Sequence, residues 1–352
     1  MKLTIKIMIL LSILALVGTD ITVTTLKTSA GIDFYQFWGV SHAQKLSKGG
    51  LGSPYHEMTN YAAVLDRYSA GSDDLRLKAA NRANHRLYPV GLDLIGTPLL
   101  FALYGFFSED YSQAYVIFHT IQSILFGSSI LLLFLYRKSK WLWFIGLSLI
   151  TPLYSPLLSN IRVGNMNSFQ LFMLIVIVLL FDKVVKKSSG RKAYIYGSVH
   201  ISFLFFLIML KPNILIVAVL LSVSLLATQG FKIYISSVIA GLFSGITLIC
   251  LSSLYFKSWL VWTEWYHCLS DGSYKLFYPV QNGNYSTACI ISETFNLNKN
   301  ASVILISMAL VFHGSVILLR CFATKNIPAT GRIYWAFLGA RTSCPYSSDC
   351  SA

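Results

Sequence analysis

Charge is scarce in this chain. Only 12% of its 352 residues are Asp, Glu, Lys or Arg, while 55% are hydrophobic, a balance that excludes an ordinary soluble domain. Its 6 cysteines show no Cys-x-x-Cys or clustered His/Cys spacing, so a structural zinc site of the usual kind is excluded. A glycine-rich phosphate loop, a dinucleotide fingerprint and a nucleophile elbow are also missing, which removes the common NTPase, dehydrogenase and serine-hydrolase chemistries. Neither an inverted internal repeat nor a low-complexity tract is visible, against the plan of many secondary transporters.

What the chain does have is apolar length. A spanning helix needs about 20 mostly apolar residues, and spans are read at Ile5 to Leu26, Tyr115 to Tyr136, Trp141 to Leu158, Phe169 to Phe181, Ala193 to Leu210, Ile214 to Ala227, Ile233 to Phe256 and Ala301 to Leu319. The formal net charge of +14 reads as topology and not as nucleic-acid binding, since no basic face interleaved with aromatics appears. Lys and Arg gather in short links, Arg137 to Lys140 and Lys183 to Lys192, which the positive-inside rule assigns to the cytoplasm. The first segment follows Lys2 and Lys6 and lacks a small-x-small cleavage site after Val17, so it is expected to be an uncleaved anchor and not a signal peptide.

Parity then constrains the segment 87–107. A span there would put both basic links outside, and Pro89, Asp93, Gly96 and Pro98 suit a lipid-exposed helix interior poorly. The reading is an all-α, polytopic membrane domain over residues 1–340. It has outer polar stretches 27–86 and 257–300, a re-entrant or interfacial hairpin over 87–107, and an atypical, shortened tail over 341–352.

Four polar clusters fall on the outer side. Asp33 stands just beyond the first span in Gly31-Ile32-Asp33-Phe34-Tyr35; it is either a helix-capping acid or a carboxylate whose pKa an apolar setting raises toward general-base use. The turn Ser159-Asn160-Ile161-Arg162-Val163-Gly164-Asn165-Met166-Asn167 offers a guanidinium fork and amides to a phosphate, or an Arg snorkelling to headgroups. Lys211 interrupts an apolar run immediately before Pro212, where an ammonium and a helix N-terminus together make an anion site; snorkelling is again the plain alternative.

The fourth cluster joins Trp259, Trp262, Trp265, Tyr266 and His267 to the turn Gln281 to Ser286, with Asn284. It reads as an interfacial aromatic belt or a sugar-stacking platform. Cys268 and Cys289 are able to pair in an oxidising compartment. Asp73 and Asp74 form either a metal-binding pair or, more commonly for adjacent acids, a solvated surface. His200, midway along a span, reads as a packed side chain.

Taken in order, Asp33, Asn160 to Asn167, Leu210 to Pro212 and Gly283 to Ser286 resemble glycosyltransferase family 87. These are polyprenyl-phosphate-mannose-dependent mannosyltransferases of the GT-C superfamily. Asn165 stands where that family usually has Gln. The resemblance implies a GT-C-type helix bundle that transfers a hexose, mannose above all, from a polyprenyl-phosphate sugar to an acceptor hydroxyl, with inversion and without metal or soluble cofactor. Asp33 would be the base, Arg162 and Lys211 the phosphate-binding cations, and Tyr35, Asn160, Asn165, Asn167, His267 and Asn284 the substrate-orienting groups. A glycolipid or polysaccharide acceptor, membrane lipids and a plasma-membrane location with an extracytoplasmic site complete the expectation. The rival readings are a lipid-linked-saccharide transporter or flippase and a non-catalytic membrane protein.

Overall fold

The computed structural model describes residues 3–88, 90–92, 96–136, 141–151, 161, 164–187 and 190–271, together with 294, 295, 301, 305, 308 and 309. The described chain is helical, and it is that of an α-helical membrane protein: five helices are long and apolar enough to cross a bilayer. These are α1 (Leu3–Thr28), α6 (Tyr111–Tyr136), α9 (Arg191–Leu210), the 3-10 turn Pro212–Ile214 with α10 (Leu215–Gln229), and α11 (Phe231–Phe256). A helix of 26 residues such as α1 is about 39 Å long, enough to cross a hydrocarbon core of about 30 Å. Two helices with shorter apolar lengths, α7 (Trp141–Ile150) and α8 (Asn167–Lys187, apolar over Asn167–Asp182), stand where two further spans were read. The span read from Ala301 lies almost wholly outside the described residues.

By internal packing the chain divides into two units, each described separately. The first comprises Met1–Val178, Phe205–Pro212 and Leu242–Asp271. In it α1 and α6 run antiparallel, with Gly18 close to Ser123, a Thr22–Ser123 hydroxyl bond of 2.8 Å, and Leu10 packed with Ile130 and Phe134. Small residues at the crossing let the backbones approach, and the shared hydroxyl bond satisfies polar groups that lipid cannot.

The polar stretch after α1 is helical as well: α2 (Ile32–Leu46), α3 (Met58–Gly71) and α4 (Leu75–Leu87). Segment 87–107 carries α5 (Pro98–Tyr104), a helix of seven residues and so about 10 Å long, far short of a span. Helices α2 to α6 enclose an aromatic core in which Phe34, Trp38, Tyr61, Phe101, Tyr104, Tyr111 and Tyr115 are buried. Phe34 alone packs against Tyr104, Phe107, Tyr111, Tyr115 and Phe118, with ring centroids 4.9 to 6.0 Å apart. The last described helix of this unit is α12 (Val261–Asp271).

Local chemistry sets the helix starts. Thr97 accepts a hydrogen bond from the Leu100 N–H, and Pro98 occupies the first turn of α5, where its missing N–H costs nothing. Asp74 does more than the solvated pair read from the sequence would. Its carboxylate accepts from the Arg76 and Leu77 amides at the start of α4, and from the Ser112 amide and hydroxyl at the start of α6. One anion thus stabilises two positive helix ends.

The second unit comprises Leu179–Leu204, Asn213–Gly241 and Gly272–Ala352. Gly197 lies so close to Ser237 that a Cβ would come within 2.5 Å of its Oγ, a small-residue crossing of the kind membrane helices favour. His200 is buried there with its ring 5.4 Å from that of Phe181.

Candidate functional site: a carboxylate, an amide and an ammonium

Asp33 sits in the first turn of α2. Gly31, immediately before that helix, has φ +76°, and a Cβ on it would fall 2.2 Å from the Tyr115 ring; only glycine fits both constraints. The Tyr111 hydroxyl donates to the carbonyls of Ala30 (2.5 Å) and Gly31 (3.2 Å). The start of α2, and so Asp33, is pinned against α6.

The turn preceding α8 meets it from the other side. Gly164 has φ +81°, and a Cβ there would stand 2.5 Å from the Phe34 Cβ and 3.0 Å from its amide nitrogen. This close approach brings the next residue, Asn165, to Asp33: its Nδ2 donates to the carboxylate over 3.2 Å, across 132 residues of sequence. The Lys211 ammonium, at the turn between α9 and the following 3-10 turn, donates to Asn165 Oδ1 (2.6 Å) and Asn167 Oδ1 (2.8 Å). An ammonium is a donor only, so it fixes which end of Asn165 is oxygen and turns the NH2 end toward Asp33.

Burial lowers the Lys211 pKa to about 8, and the Asp33 carboxylate works against that shift. A partly desolvated ammonium with two neutral acceptors keeps its charge available to an anion, and its third N–H has no acceptor among the described residues. Nearby, the Tyr104 hydroxyl is buried at 2% exposure with no hydrogen-bond partner among the described residues. Burial chiefly, and the Asp33 charge secondarily, hold that phenol well above its ordinary pKa.

Of the residues read from the sequence, Asp33, Asn165, Asn167 and Lys211 therefore form one connected cluster within the first unit. Tyr35 is one residue further along α2 than Phe34 and faces elsewhere: it bonds Asn81 and feels Asp66, and its phenol is held above the ordinary value by burial. Asn81 and His85 of α4 both meet Asp66 of α3 over 2.8 Å, so Tyr35 belongs to the α2–α3–α4 packing. His267 is exposed on α12, beside Tyr266. Asn160, Arg162, Asn284 and Cys289 lie outside the described residues.

Sequence reasoning passed over Thr97, Tyr104 and the reason for Gly164. The Thr-Pro pair that starts α5 was a legible cap signal, but its tertiary partner was not. No protein-family model, curated protein or solved structure matches this chain.

Proposed function

We propose that this protein is a membrane glycosyltransferase that moves a hexose, mannose by resemblance, from a polyprenyl-phosphate carrier to an acceptor hydroxyl. The acceptor is a glycolipid or polysaccharide, and the site lies on the extracytoplasmic face if the Lys and Arg links mark the cytoplasm. The observation that supports the reading is the bridge itself: an acid and a cation from distant parts of the chain, oriented toward one another by a single amide.

In this reaction the acceptor oxygen attacks the anomeric carbon while the bond from that carbon to the phosphate oxygen breaks. The bonding pair leaves on the phosphate, the configuration inverts, and the acceptor proton passes to Asp33. An alcohol attacks well only as its proton is removed, which is the work of a positioned base. Lys211, with Arg162 by resemblance, stabilises the charge that grows on the departing phosphate. Phosphate leaves as an anion without needing a proton, so one carboxylate suffices where glycosidases use two. Asn165 and Asn167 hold the ammonium in place.

The test is transfer of labelled mannose from polyprenyl-phosphate-mannose to membrane acceptors by wild type, Asp33→Asn and Lys211→Met. Asparagine at position 33 can still accept the Asn165 bond but cannot take a proton, so transfer should vanish while donor binding persists. Lys211→Met should weaken donor binding. An active Asp33→Asn protein would remove Asp33 from the base role and the reading with it.

A further inference from the structure

The helix α5 touches both halves of the cluster. At its N-terminus the Thr97 hydroxyl accepts from the Leu100 amide (3.2 Å) and donates to the carbonyl of Leu210 (3.1 Å), the residue before Lys211. At its C-terminus the Tyr104 ring packs on Phe34, the residue after Asp33, at 5.6 Å. Thr97 is 2% exposed, and both hydrogen-bonding roles of its hydroxyl are used.

The Leu210 carbonyl has a physical need for that donor. It is one of the last carbonyls of α9, a set that lacks partners within the helix, and Pro212 disfavours the α conformation at the residue before it, which ends the helix there. The Lys211 amide makes the last i→i−4 bond of α9, to the Leu207 carbonyl over 3.0 Å. Thr97 itself is held from the opposite side: the Tyr55 hydroxyl donates to the carbonyl of Gly96 over 2.6 Å, and a Cβ on Gly96 would meet Phe101 at 2.9 Å and Phe37 at 3.2 Å.

We infer that Thr97 is a positioning residue for Lys211: by joining the start of α5 to the end of α9, its hydroxyl seats the ammonium against Asn165 and Asn167. For its catalytic consequence this rests on the transfer reaction proposed above; the seating itself does not. Without the bridge, the α9 carbonyl turns to another donor and the four-carbon lysine stem follows the backbone, releasing the ammonium toward water. Lys211 is the one group whose protonation reports that release.

The experiment uses the full chain, purified in detergent, as wild type, Thr97→Val, Thr97→Ala and Thr97→Ser. Each is trace-labelled with acetic anhydride across a pH series, and acetylation of Lys211, Lys45 and Lys257 is read by mass spectrometry. In wild type the Lys211 profile should have its midpoint near 8. In Thr97→Val the midpoint should move up toward the ordinary 10.5, with Lys45 and Lys257 unchanged, and Thr97→Ser should behave as wild type. Thr97→Ala reports the same loss if the valine variant does not fold. An unshifted Lys211 midpoint in either folded variant lacking the hydroxyl overturns the inference.

Transfer assays on the same samples separate the two claims. If wild type transfers mannose, Thr97→Val should lower kcat on the order of 10²-fold, the scale of a misplacement of about 1 Å, and Thr97→Ser should restore it. Wild-type activity in Thr97→Val with a shifted midpoint would overturn the catalytic consequence. No transfer by wild type, with the labelling shift present, would sink the transfer reaction and leave the seating of Lys211 established.

Discussion

Replacing Gly164 by alanine is the sharpest test of how the cluster is built, because two separable costs converge on that residue. A side chain at φ +81° occupies the left-handed region, which costs about 1–2 kcal/mol for an L-residue. The second cost is contact: the new Cβ would stand 2.5 Å from the Phe34 Cβ, when carbon atoms rest at about 3.5–4.0 Å, so the turn must retreat by about 1 Å. Phe34 cannot yield, since five aromatic rings enclose it. The retreat therefore falls on Asn165, whose 3.2 Å bond to Asp33 lengthens beyond hydrogen-bonding range. Gly52→Ala separates the costs, for Gly52 has φ +71° and nothing within 4 Å of an added Cβ. Thermal unfolding in detergent should show both variants destabilised, Gly164→Ala the more so. Mannose transfer should fall on the order of 10²-fold in Gly164→Ala alone. Wild-type transfer in Gly164→Ala would refute the claim that this close approach sets the Asp33–Asn165 bond.

Four further outcomes follow from the same geometry. The Lys211 pKa of about 8 lies below its ordinary 10.5, so between those values the unfolded chain holds more protons and stability rises with pH; transfer, which needs the ammonium, should instead decline above about 8, and parallel trends in the two pH profiles would count against the assignment. His42, stacked on Trp38 at 4.4 Å, is held near 4 by burial, with Glu109 acting in the opposite direction; stability should be lost as pH falls from about 6.5 through 4, and His42→Phe should flatten that acid limb. Asp74→Ala removes the acceptor shared by the starts of α4 and α6 and should cost about 2 kcal/mol, measured by thermal unfolding; a neutral variant would show that the shared cap does not matter. Tyr104→Phe deletes a buried hydroxyl with no partner among the described residues and should raise stability by about 1 kcal/mol, so destabilisation would reveal a partner for it.

The parts of this architecture that follow one-dimensional rules were legible in advance. Apolar length marks α1, α6, α9, α10 and α11, because a bilayer imposes the same requirement on every spanning helix. In segment 87–107, read as a hairpin because Pro89, Gly96 and Pro98 suit a lipid-exposed interior poorly, the described helix is Pro98–Tyr104, seven residues long. In the polar stretch 27–86 two signals were passed over: Asp74 as a cap ahead of the run Leu75 to Leu87, and the Leu77, Ala80 and Asn84 spacing of a buried helical face. Pairings were beyond reach. Nothing at Asn165 says that its oxygen meets Lys211 and its nitrogen Asp33, and nothing at Tyr35 says that it turns toward Asn81. Those outcomes depend on which helices pack together, and in membranes that choice rests on small residues and local fit more than on pattern.

Why an amide stands between the two charges can be argued from magnitudes. Unit charges about 4 Å apart interact by about 4 kcal/mol at an effective dielectric of about 20, and by half that at twice the distance. Lys211 meets Asp33 through Asn165 and not in a direct ion pair. Direct contact would occupy ammonium donors that a phosphate needs. The interposed asparagine bridges the two charges and fixes both groups in orientation. In the proposed transfer, negative charge leaves the Asp33 end of the bridge as the carboxylate takes a proton, and grows on phosphate at the Lys211 end. A rigid dipole whose NH2 faces the carboxylate and whose oxygen faces the ammonium keeps both charges where the reaction starts and finishes, so neither must be reoriented at the moment of reaction.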